Sequence, residues 1–114
     1  MRKIHHLDLP RELSKRELFI EQGLLEICLR WRIAELSFFG SILRDDFSSE
    51  SDIDILVTFE EDSSTSLFDL MRMEEEFSTL FGRKVDLISR AAVEGSSNKL
   101  RREEILSTAE IAYG

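Results

Sequence analysis

Phe38-Phe39-Gly40-Ser41 and, ten residues further on, Asp52-Ile53-Asp54-Ile55-Leu56-Val57 are the stretches that decide the fold. In the second, Ile53, Ile55 and Val57 alternate with Asp52, Asp54 and Leu56, the period of a strand whose two faces meet different surroundings. The pattern predicts a strand over residues 51–59. Side chains two apart on a strand project to the same side. Asp52 and Asp54 therefore aim their carboxylates at one volume, while Ile53 and Ile55 turn toward a core. Two carboxylates so close repel, and one must hold its proton more tightly unless a cation joins them. Hard oxygen donors suit magnesium.

Working outward, Asp86 repeats the pattern on a strand predicted over residues 84–88, between Val85 and Leu87. A lone acid in an apolar strand needs a partner. It could cap a helix or pair with Arg83 or Lys84. If its strand neighbours residues 51–59, three carboxylates converge, and three can hold two magnesium ions roughly 3.5–4 Å apart for in-line phosphoryl displacement. Gly40-Ser41 stands at the end of a strand predicted over 34–39. Glycine there lets backbone approach a phosphate closely. The following N–H groups can form an anion-binding nest, and the Ser41 hydroxyl adds a donor. Arg44, one turn later, can fork onto phosphate oxygens or pair with Asp45 or Asp46.

The remaining chain supplies the frame. Pro10 precedes a helix predicted over 11–32, with Leu18, Leu25, Cys28 and Leu29 as its apolar positions and Glu17, Glu21 and Glu26 among the polar ones. A helix over 66–81 carries Leu67, Leu70, Met71, Phe77 and Leu80, and Gly82 falls where a C-cap glycine belongs. A last helix is predicted over 97–113. The alternation of helices and strands implies an α+β (layered α/β) domain, a small sheet of about three strands with helices on one face. The 114 residues make one domain, with residues 1–10 read as a flexible arm.

Composition narrows the function classes. A net charge of −8 disfavours a grip on long nucleic acid, which calls for a basic face. A nucleotide arriving with its own metal ions remains compatible. No apolar run is long enough to span a membrane, the N-terminus lacks a signal-peptide pattern, and the single Cys28 permits no internal disulfide; a cytoplasmic protein is expected. Lys99, Arg101 and Arg102 form a basic cluster expected to pair with Glu103, Glu104 or another acid, the alternative being a phosphate contact.

Phe39-Gly40-Ser41, the ten-residue spacer and Ser51-Asp52-Ile53-Asp54-Ile55-Leu56-Val57 resemble the signature of the polymerase-beta-like nucleotidyltransferase superfamily. The short chain resembles its minimal members, the MNT proteins. The likeness continues through Leu67-Phe68-Asp69-Leu70, Gly82-Arg83-Lys84-Val85-Asp86-Leu87-Ile88 and Leu100-Arg101-Arg102-Glu103-Glu104-Ile105-Leu106. It implies a mixed sheet with packed helices and transfer of a nucleoside monophosphate, with AMP from ATP expected, to a hydroxyl with release of pyrophosphate. By matching position, it implies that Asp52 and Asp54 ligate both metals. Asp86 would ligate the catalytic metal and help take the acceptor's proton, and Gly40 and Ser41 would hold the triphosphate. Many MNT proteins are antitoxins of HEPN ribonuclease toxins, and some add AMP to a tyrosine of the toxin; a partner of that type is expected, in a hetero-complex or beside a homo-oligomer. The family commonly has Arg-Gly-Glu where this chain has Arg44-Asp45-Asp46, which removes backbone freedom and adds an acid near the phosphates.

Two other functions fit the same residues. One is an antitoxin that neutralises by occlusion, its acidic surface covering a basic one. The other is an antibiotic-modifying nucleotidyltransferase, which would need an acceptor-binding part from elsewhere.

Overall fold

The computed structural model describes residues 2–6 and 9–114. Two helices open the chain, α1 (Arg11–Ser14) and α2 (Glu17–Arg30), followed by β1 (Ile33–Phe39) and a 3-10 turn (Gly40–Leu43). Then come β2 (Ile53–Phe59), α3 (Leu67–Phe81), β3 (Val85–Ser89), α4 (Arg90–Glu94), α5 (Lys99–Thr108) and β4 (Glu110–Tyr113). The sheet has four strands in the order β3-β2-β1-β4. β1 runs antiparallel to β2 and to β4, and β2 runs parallel to β3.

The fourth strand corrects the expected count of three. Residues 110–113, read as the end of a helix, instead pair with β1. α5 stops at Thr108, and Ala109 is already extended at φ −59° and ψ 136°. Four residues are too few for alternation to declare itself. The first helix also divides, with Lys15 and Arg16 between α1 and α2. Of the stretch read as an arm, Ile4 bridges Tyr113 and the His5 N–H donates to the Ala112 carbonyl at 2.9 Å. Met1, Leu7 and Asp8 lie outside the described residues.

Helices cover both sheet faces rather than one. Ile33, Phe38, Ile53, Ile55 and Val57 pack with Ile20, Leu24, Ile27, Met73 and Phe77 of α2 and α3. Phe39 and Leu56 point the other way, into a smaller cluster with Val93 of α4 and Ile105 of α5. Strand alternation thus assigns Asp52 and Asp54 to the α4/α5 side, in step with Leu56.

α2 buries Cys28 as expected, but otherwise a different stripe from the one expected. Ile20, Leu24, Ile27 and Cys28 are buried, whereas Leu18 and Leu29 are 68% and 64% exposed and Leu25 is also open. In α3 the core positions are Met73, Phe77, Leu80 and Phe81, while Leu67 and Met71 are exposed. α3 begins with a reciprocal cap between Ser66 and Asp69 and ends at Gly82, which takes φ +70° as a C-cap glycine does.

Candidate active site

Parallel pairing of β2 and β3 sets Asp54 beside Asp86 in register, and Ile53 beside Val85. Asp52 precedes β2 on the same side as Asp54. The three carboxylates therefore share one end of the sheet. Asp54 is half-buried, and that burial pushes its carboxyl above the ordinary aspartate range. The charges of Asp86 and Asp52 push the same way, while Arg101 and Arg44 partly offset them.

The Lys84 ammonium lies 3.7 Å from an Asp52 oxygen and 3.8 Å from an Asp86 oxygen. A cation thus already stands between two of the three acids. Among the described residues, no three His, Cys, Asp or Glu side chains close into a ready cage for an ion. The donor set nevertheless suits a hard divalent cation: all donors are carboxylate oxygens, one is held half out of water, and an exposed lysine stem can move aside.

Gly40 follows the end of β1, where Phe39 pairs with Asp54. Its φ is +75°, and a Cβ built there would lie 2.3 Å from Asp54 Oδ2. Both the left-handed backbone and the close carboxylate require glycine. The Ser41 hydroxyl donates to the Asp52 carbonyl at 3.3 Å, tying the turn to the acidic strand. The ten-residue spacer is held from β3's side. Arg83 donates to the carbonyls of Ser48 at 3.0 Å and Ser51 at 3.3 Å, and its guanidinium stacks 4.6 Å above the Phe47 ring.

Gly40, Ser41, Arg44 and Asp54 line a cleft of about 490 Å³ whose other wall is Arg101, Glu104, Ile105 and Thr108 of α5 with Glu110 of β4. Arg44 also contacts Asp46 at 3.3 Å, so its guanidinium is shared. A larger groove, about 890 Å³, runs between α2 and α3. It contains none of the strand carboxylates, whereas Asp54 lines the smaller cleft. Within it, Gly40, Ser41, Arg44 and Asp54 are brought together, while Asp52 and Asp86 flank Asp54 outside its lining.

The pairing of Asp86 with Lys84 was among the sequence expectations, whereas the place of Glu104, Thr108 and Glu110 on the cleft wall was not. Lys99, Arg101 and Arg102 were expected to pair with Glu103, Glu104 or another acid rather than to contact phosphate. Among the described residues none of the three forms a carboxylate ion pair, and Arg102 donates instead to the Ser96 carbonyl at 2.9 Å. The usable signal was Ile105: once it is buried against Leu56, Arg101 one turn earlier faces the same side.

The nucleotidyltransferase domain family matches residues 20–111. Protein adenylyltransferase MntA of Thermococcus cleftensis is 33% identical over 81 residues, 71% of this chain and 80% of that protein. A solved structure described as a minimal nucleotidyltransferase superposes with a TM-score of 0.62 at 32% identity, covering 92% of this chain and 96% of its own. A complex of a tri-AMPylated Shewanella oneidensis HEPN toxin with an MNT antitoxin shares the fold, with a TM-score of 0.58 at 16% identity over 87% of this chain and 72% of that one. With glycine pressed against a strand aspartate and a second aspartate beside it in register, this chain belongs to the nucleotidyltransferase domain family.

Proposed function

We propose that this chain moves AMP from ATP to a hydroxyl of a partner protein in a magnesium-dependent reaction in the cytoplasm, and that the partner is a HEPN-type toxin for which it is the antitoxin. The observation that carries the reading is the register of Asp54 with Asp86, closed on one side by Gly40. The names of the relatives support the acceptor class: one is a protein adenylyltransferase, and a more distant fold neighbour is an antitoxin bound to an AMPylated HEPN toxin.

Asp52, Asp54 and Asp86 would hold magnesium, which when bound neutralises the triphosphate and aligns it for in-line displacement. The N–H groups after Gly40, the Ser41 hydroxyl and Arg44 hold the phosphate tail. The acceptor oxygen attacks the α-phosphorus as the bond to pyrophosphate breaks. Asp86, open to solvent on one side, receives the acceptor's proton.

Incubation with magnesium, α-labelled ATP and a HEPN-type toxin is expected to label the toxin. The Asp52→Ala, Asp54→Ala double variant should abolish labelling, and transfer persisting in it would remove these residues from the chemistry. A second reading, neutralisation by binding alone, draws on the exposed stripe of Leu18, Leu25 and Leu29 on α2, the kind of surface that partners cover. On that reading the variant with all three aspartates replaced still suppresses toxicity.

A further inference from the structure

We infer that Arg101 of α5 is a polyphosphate-binding residue, closing on the triphosphate from the wall opposite Gly40, Ser41 and Arg44. The inference rests on the reading that this cleft takes a nucleoside triphosphate. Three observations meet at this side chain. It lines the cleft together with Gly40, Ser41 and Asp54. Its guanidinium has no carboxylate partner among the described residues, whereas Arg44 across the cleft is already engaged by Asp46. Its position is fixed at both ends: its own N–H donates to the Asn98 side chain at 3.1 Å, and Ile105 one turn later is buried under the sheet.

The local sequence points the same way. α5 opens with Lys99-Leu100-Arg101-Arg102 and has no acid in its first turn. The positive end of a helix dipole favours acids there, so three cations in this turn oppose the helix. Where a chain breaks a local rule of this kind, the residues answer a demand from elsewhere. A nearby polyanion is such a demand, and it also relieves the repulsion among the three cations. Glu104 and Glu110 on the same wall repel phosphate, so the two guanidiniums mark where the phosphates lie. Asp54 feels the charge of Arg101 as well as that of Arg44. Arginine suits the task because its planar fork matches phosphate oxygens.

The test is binding of ATP, inorganic pyrophosphate and AMP, each with magnesium, to the wild-type chain and to Arg101→Ala and Arg101→Lys, with melting curves to confirm folding. Arg101→Ala should weaken ATP and pyrophosphate roughly tenfold or more while changing AMP less than about twofold, and Arg101→Lys should recover part of the loss. Equal weakening of ATP and AMP would move Arg101 to the nucleoside, and unchanged ATP binding would remove it from the site; either overturns the inference while leaving the nucleotide reading standing. A wild-type chain that binds neither ATP nor pyrophosphate would overturn both.

Discussion

Asp54 carries the tension of the site. Its folded-state pKa is raised, first by burial and then by Asp86 and Asp52. Between the ordinary aspartate value and that raised value, the folded state binds more protons than the unfolded one, so stability falls as pH rises through this window and is then level. In chelator, Asp54→Asn should remove this fall and raise the melting temperature at neutral pH by roughly a few degrees. In magnesium the order reverses, because only the wild type gains a ligand. Melting curves across pH, with and without magnesium, check both signs. This residue was legible in the sequence because alternation alone pairs it with Asp52 on one face. The Lys84–Asp86 pair was legible too, but the reach of Lys84 to Asp52 was not, since it depends on the parallel register that brings β3 beside β2.

Among the elements, the ten-residue spacer depends on one side chain. Arg83 is held at 12% side-chain exposure by Ser48, Ser51, Phe47 and Glu12, the last at 2.8 Å. Arg83→Met keeps much of the stem but leaves two carbonyls without this donor. It should destabilise the chain by about 1–3 kcal/mol in urea unfolding and weaken ATP binding, because the spacer links the Gly40 turn to Asp52. If nucleotide affinity is unchanged, the spacer does not position the site. The strands β1 to β3, α3 and its Gly82 cap were readable from local pattern. The buried face of α2 was not: Ile20, Leu24 and Ile27 compete with Leu18, Leu25 and Leu29 for the same period, and only contact with Leu80 and Phe77 chooses between them. The packing is close at Gly23, where a Cβ would lie 2.2 Å from Leu80 Cδ1. The turn from α5 into β4 was hidden for a related reason, having neither glycine nor proline to mark it.

At the scale of the molecule, both margins of the sheet are occupied. On β3 the outward N–H groups of Val85 and Leu87 donate to Ser78 Oγ at 3.0 Å and to a Glu74 oxygen at 2.9 Å, both from α3. Beyond β4, Lys3 and His5 exchange backbone hydrogen bonds with Gly114 and Ala112. Exposed strand edges recruit further strands, and native proteins cover or blunt them. Glu74→Ala with Ser78→Ala should therefore shorten the lag of thioflavin-positive aggregation on gentle heating and lower stability by about 2 kcal/mol. An unchanged lag would mean that these two side chains do not guard that edge. Among the described residues, α3 covers the outer N–H groups of Val85 and Leu87 and the N-terminal residues cover β4, which limits growth by strand addition at either margin. A partner that docks on the helices or loops can assemble with this protein without prying open the sheet that holds the aspartates.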